Sequence, residues 1–256
     1  IQDPYAVWIS EVMLQQTRVD TVIPYYRRFL ARFPTVRALA GAEFQDVLKV
    51  WENLGYYSRA RHLHDAAKQI MERSGGRMPD SLSELRRLPG VGPYIASAVL
   101  CFAFGQSLPT VDGNVRRVIA RLYALRDPVD SPGARDRLMD LASALVPEKD
   151  AARFNQGLMD LGNAICRPRG ALCRICPVRE YCRAFDLGLQ QELPIRGKRG
   201  PIPHRRMTAA LIRDRRKRVL IVQRPSRGLL GGLWKFPGGE VKEGETPERG
   251  LRRVVR

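Results

Sequence analysis

No run in the sequence approaches the roughly 18 apolar residues that a membrane-spanning helix needs, so insertion into a bilayer is excluded. Ile1 opens the chain without an initiator Met, a charged n-region or an apolar h-region, and a secretory signal is therefore absent from this stretch. The chain ends at Arg256 inside a helical pattern, and it reads as a fragment cut at both ends. It has no internal repeat. Five cysteines are too few and too odd in number for a disulfide framework; four crowd into residues 166–182, which suits a metal site in a reducing, cytoplasmic compartment.

Acidic residues are also scarce. There are 26 Asp and Glu against 44 Lys and Arg, a net charge of +18, so the chain is drawn to polyanions, nucleic acid before a membrane surface. Residues 196–227 hold twelve Lys/Arg and the single acid Asp214, so net charge alone does not locate a binding face. With 44% hydrophobic and 27% charged residues the composition is that of a globular protein with a sizeable core.

From Tyr5 to about Leu187 apolar residues recur at helical spacing, as in Val47, Leu48, Val50, Trp51 and Leu54. Short breaks such as Phe33-Pro34-Thr35, Leu88-Pro89-Gly90 and Ser131-Pro132-Gly133 separate them, predicting a mainly α domain of nine or ten helices over 1–189. Residues 190–206, rich in Pro, Gly and basic side chains, read as a linker. Met207 to Arg213 and Val219 to Gln223 read as strands flanking the turn Asp214 to Arg218, opening a truncated α/β domain over 207–256.

Cys166, Cys173, Cys176 and Cys182 are separated by six, two and five residues. Four thiolates suit tetrahedral zinc or a [4Fe–4S] cluster; one close pair between two wider gaps favours iron–sulfur. Cys101, in an apolar run, reads as core. Gly90 and Gly92 let the backbone turn sharply before a helix near Tyr94, whose first N–H groups could take a phosphate oxygen, although an interhelical turn needs no ligand. Glu11 is an acid among Val, Trp, Ile, Met and Leu; burial would raise its pKa and suit it to general-acid work, the alternative being a surface Glu on an amphipathic helix. Asp112 precedes a helix from about Asn114 to Tyr123, where it is either a simple N-cap or an ionised carboxylate for cation stabilisation. A protonated acid paired with an ionised one is how glycosidic bonds are hydrolysed.

These segments, Trp8-Ile9-Ser10-Glu11-Val12-Met13-Leu14-Gln15-Gln16-Thr17, Gly55-Tyr56-Tyr57-Ser58-Arg59-Ala60-Arg61, Leu88 to Gly92, Val111 to Val115 and the four cysteines, resemble the helix-hairpin-helix DNA glycosylases, and within them the MutY-type adenine glycosylases. The resemblance covers residues 4 to about 187. It implies a two-lobed fold with a [4Fe–4S] loop. It also implies base excision from double-stranded DNA carrying A:8-oxoguanine or A:G mispairs, by a nucleoid-associated bacterial monomer, with the adenine flipped into a pocket. Glu11 would protonate adenine N7 and later activate water. Asp112 would stabilise the oxocarbenium-like sugar, with Asn114 in support. Gln16 and Thr17 would read the opposite strand, Tyr56 would wedge into the stack, and Gln156 would sit by the adenine. Lyase relatives carry a Schiff-base Lys two residues past the hairpin's last Gly; here Tyr94 stands there, which implies a monofunctional enzyme with Tyr94 against the substrate. A non-catalytic iron–sulfur DNA-binding protein and a bifunctional lyase are the alternatives. The C-terminal part resembles a Nudix domain: Gly239, Glu245 and Arg253 fall at the box spacing, but Val254 replaces the next Glu, so metal-dependent pyrophosphatase activity is not expected.

Overall fold

The computed structural model describes every residue except 1, 2, 198, 199, 201, 226, 227, 229 and 256. Part of the expected linker (Lys198, Arg199, Pro201) and Leu229 of the expected α/β domain lie outside the described residues. The chain divides into two compact units, Ile1–Leu54 with Arg61–Lys198, and Gly55–Ala60 with Arg199–Arg256.

The helices in chain order are α1 Pro4–Leu14, α2 Val19–Arg32, α3 Val36–Ala40, α4 Phe44–Trp51, α5 Ser58–Ser74, α6 Leu82–Leu85 and α7 Pro93–Phe104. They continue with α8 Gly113–Leu122, α9 Pro132–Leu145, α10 Ala151–Asp160, α11 Arg183–Asp186 and α12 Pro247–Val255. Three of those before residue 190 (α3, α6, α11) are one-turn helices, which is why the count exceeds the nine or ten that periodicity predicts. Among the described residues no helix is long and apolar enough to cross a membrane.

Two helices form the centre of the first lobe. Asp3 caps α1 by accepting from Tyr5 N, Pro4 sits at the first turn, and Tyr5, Trp8, Ile9, Val12 and Met13 are buried. In α7, residues Ile95 to Cys101 are all buried. A helix apolar on every side belongs in the interior, and α1 packs directly on α7. The exit of α7 is a left-handed Gly105, φ 69°. A second core gathers Val115, Ile119, Ala120, Leu125, Val129, Leu138 and Ala142 between α8 and α9.

The turn before α7 follows its chemistry. Val91 N donates to Leu88 O at 3.2 Å, with Pro89 at the second position and Gly90 at φ 74° at the third, the requirements of a type II turn. A Cβ on Gly90 would lie 2.6 Å from His62 Cβ. The helix before the turn ends at Leu85, because Arg86 and Arg87 already close a turn and Pro89 disfavours helical backbone at Leu88.

In the second unit the expected strands are shorter and paired differently. β1 Met207–Ala209 pairs antiparallel with β4 Gly238–Glu240, and β2 Val222–Gln223 with β3 Trp234–Lys235. The hairpin around Asp214 survives as one bridge, Arg213 to Val219. Gly238 explains the pairing of β1: a Cβ there would overlap the Thr208 carbonyl oxygen, so only glycine lets the two strands meet.

Candidate active site

The C-terminal half of α1, the first turn of α7 and the N-terminus of α8 converge through three side chains. Tyr94 Oη donates to Glu11 Oε2 at 2.8 Å. Burial holds the Glu11 carboxyl above the ordinary range; the Tyr94 hydrogen bond opposes this and the nearby negative charge of Asp112 adds to it. The Tyr94 phenol is pushed far up, by burial first and then by Glu11 and Asp112. Asp112 caps α8: Oδ1 accepts Val115 N at 2.7 Å and Oδ2 accepts Asn114 Nδ2 at 3.1 Å. Glu11, Tyr94, Asp112 and Asn114 thus form one group.

A second layer fixes the start of α8. Arg117 Nη2 donates to Asn114 Oδ1 at 3.0 Å and to Gly162 O at 2.7 Å, and its Nε donates to Cys166 O at 2.7 Å. One turn on, the buried Arg121 donates to Leu193 O at 2.9 Å, Arg167 O at 2.7 Å, Pro168 O at 3.3 Å and Cys166 Sγ at 3.3 Å. Gly162 lies in a π turn, Leu161–Ile165, that extends α10, and a Cβ there would stand 2.8 Å from Asn114 Cβ. Two arginines and a glycine therefore seat the helix that carries Asp112 on the cysteine loop.

Gln16 is exposed in left-handed backbone at φ 55°, just past the end of α1, a conformation unfavourable for a side-chain-bearing residue. Thr17 Oγ1 donates to Gln15 O at 3.3 Å. Tyr56, at φ 47°, is 56% exposed with the Arg59 guanidinium 5.4 Å from its ring centroid, so it is not a core residue. Gln156 is exposed and turned to its own helix, Nε2 donating to Asp160 Oδ1 at 3.3 Å. A Cβ on Gly92 would meet open space, leaving the backbone at the start of α7 approachable.

The four cysteines are half-buried free thiols on one loop, Cys173 opening a 3₁₀ turn and Cys182 preceding α11. Burial pushes the Cys173 and Cys182 thiols up, and neighbouring cysteines add to it: Cys166 and Cys176 act on Cys173, and Cys166 and Cys173 act on Cys182. Among the described residues no three His, Cys, Asp or Glu side chains stand close enough to hold a single metal ion. A polynuclear cluster spreads its thiolates more widely than one zinc ion does, and a guanidinium N–H aimed at Cys166 Sγ is the kind of bond that stabilises sulfur carrying negative charge. Four cysteines on one loop are the donor type that [4Fe–4S] clusters use.

Residues 9–143 match the family described as HhH-GPD superfamily base excision DNA repair protein. The chain belongs to the HhH-GPD superfamily. It is 36% identical to the adenine DNA glycosylase of Homo sapiens over 96% of its own length and 53% of that protein's. It is 33% identical to the adenine DNA glycosylase of Buchnera aphidicola subsp. Schizaphis graminum, covering 93% and 68%. The chain spans about half the length of the first curated relatives it matches. A solved thermostable thymine-DNA glycosylase superposes with a TM-score of 0.67 at 31% identity, over 73% of this chain and 86% of that one.

Residues 208–255 of this HhH-GPD chain match a NUDIX domain. Glu245 and Arg253 form a two-pronged ion pair at 2.9 and 2.8 Å, Arg253 also donates to Glu240 O, and the pair pulls the Glu245 carboxyl down to about 2. Val254, standing where the box has its next acid, packs its methyls toward Gly239. Within the HhH-GPD part, sequence reasoning missed Arg117, Arg121, Asn155 and Gly162. A signal for the two arginines was present: Asn114, Arg117 and Arg121 are spaced three and four apart, one stripe of α8 running back from Asp112.

Proposed function

We propose that the chain is a monofunctional DNA glycosylase that hydrolyses the N-glycosidic bond of adenine mispaired with 8-oxoguanine or guanine in double-stranded DNA. The observation that carries this reading is a half-buried Glu11, its carboxyl held above the ordinary range by desolvation, sharing one site with the helix-capping carboxylate Asp112. With adenine flipped between them, Glu11 delivers its proton to N7, the C1′–N9 bond breaks, and the electron pair leaves with the base. Asp112 stabilises the oxocarbenium-like sugar electrostatically, and Asn114, bonded to Oδ2, holds that carboxylate in place. The Glu11 carboxylate then takes a proton from the water that attacks C1′, which restores the acid. Tyr94 supports the monofunctional assignment: a half-buried phenol bonded to Glu11 offers no amine for a Schiff base.

Cys166, Cys173, Cys176 and Cys182 would hold a [4Fe–4S] cluster, which when bound supplies rigidity to the loop on which α8 rests. Gln16, Thr17, Tyr56 and Gln156 are assigned to the duplex and the flipped base, and the hairpin glycines Gly90 and Gly92 to backbone phosphates. The net charge of +18 supports a polyanionic partner. The test is free-base identification after incubation with a panel of duplexes, A:8-oxoguanine, A:G, A:T and T:G among them. Free adenine from the first two is expected; binding with no base released would support the non-catalytic alternative, and strand cleavage without added base would support a lyase.

A further inference from the structure

The loop between α7 and α8 delivers Asp112, and it is pinned from one buried side chain. Asn155, on α10, is 1% exposed. Its Oδ1 accepts Thr110 N at 2.9 Å, and its Nδ2 lies 3.0 Å from Leu108 O, 2.9 Å from Ala151 O and 3.4 Å from Cys101 Sγ. One amide thus satisfies an N–H and a carbonyl of the loop and ties both to α10 and α7. The loop's other side-chain ties, Gln106 Nε2 to Asp80 O and Ser107 Oγ to Glu148 O, are exposed and farther from the site. Thr110 is fully buried, yet among the described residues its Oγ1 has no hydrogen-bond partner, so its own side chain does not anchor it.

We infer that Asn155 is a positioning residue for the glycosylase reaction, acting through Asp112. Only Val111 separates the pinned Thr110 from Asp112, and α8 begins at the next residue. The cap fixes Asp112 relative to α8, and Asn155 fixes the incoming strand; together they leave the carboxylate little freedom. Without the amide, a buried N–H and a buried carbonyl lose their partners and the loop must move to find others. The inference rests on the glycosylase reading.

The test uses the full chain carrying its cluster and an A:8-oxoguanine duplex. Asn155→Leu keeps the volume and drops every hydrogen bond; Asn155→Ser keeps a short polar group that cannot span both loop atoms. For each, the burst amplitude gives the active fraction, the single-turnover rate is taken per active molecule, and a duplex with 2′-fluorinated deoxyadenosine gives binding without cleavage. The inference predicts a rate loss of about 100-fold, the order expected for a misplacement of about 1 Å, with binding changed less than about threefold. In an Asp112→Asn background the same substitutions should cost almost nothing further, because the group they position is already neutral. Cys101→Ala, which removes only the 3.4 Å contact, should leave the rate near wild type. Equal rate losses in both backgrounds, or rates per active molecule equal to wild type, would overturn the inference. Failure of the wild-type chain to release adenine would instead overturn the proposed function.

Discussion

Tyr94 and Glu11 lie 83 positions apart in sequence and share a 2.8 Å hydrogen bond at the crossing of α1 and α7. The phenol's hydrogen bond is stronger to the ionised carboxylate, whereas burial favours the protonated carboxyl. The two effects oppose each other, and their balance sets the proton affinity of the proposed acid.

Removing the donor tilts that balance. The Tyr94 bond lowers the Glu11 pKa, so Tyr94→Phe should raise it further. The acid works only when protonated, and excision falls as pH rises through its pKa. The alkaline limb of the single-turnover pH profile should therefore move to higher pH in Tyr94→Phe. A limb that stays in place or moves down would detach Tyr94 from the acid.

Much of this arrangement was legible in the sequence. Apolar periodicity gave the central helices, and Pro89 and Gly90 gave the turn, because both act within a few residues. An acid flanked by Trp8, Ile9, Val12 and Met13 announced its own desolvation. Arg117, Arg121 and Asn155 were not read, because most of the partners that hold these buried polar residues lie 45 or more positions away. The second unit was read least well: β1 chose β4 because Gly238 admits it, a fact of backbone contact that no local pattern carries.

The same pKa shift has a stability consequence. A carboxyl whose folded pKa lies above its unfolded value near 4.5 binds more protons folded than unfolded between the two, so stability falls as pH rises through that window. Glu11→Gln removes this loss. The variant should melt higher than wild type at pH 7, and the difference should narrow as pH falls through the window toward about 4.5. Thermal melts at both pH values check the sign.

Gly162 is held small by Asn114. Gly162→Ala would place a Cβ 2.8 Å from Asn114 Cβ and 3.1 Å from its carbonyl oxygen, both on a helix that Arg117 already fixes. Overpacking of this kind costs about 1–3 kcal/mol, and the displaced α8 start carries Asp112. A lowered melting temperature together with slower excision per active molecule is expected; a melting loss alone would leave Asp112 unaffected by the π turn.

Arg121 is 2% exposed and satisfies three carbonyls and one sulfur. Arg121→Gln cannot reach them all, and leaving the buried Leu193 carbonyl unpaired costs about 1–3 kcal/mol. On the proposed [4Fe–4S] reading, the variant should be recovered with less iron and sulfide per chain than wild type, measured alongside the visible absorbance. Full cluster content in the variant would free the cluster from this residue.

The central claim is that Glu11 and Asp112 act on one nucleotide, and Asp112→Asn tests it with least disturbance, since Asn caps a helix as well as Asp does. The measurement is single-turnover release of free adenine from an A:8-oxoguanine duplex by wild type, Glu11→Gln and Asp112→Asn. The account predicts release by wild type, a loss of at least about 100-fold in each variant, and duplex binding retained in all three. Release by either variant at close to the wild-type rate would contradict it.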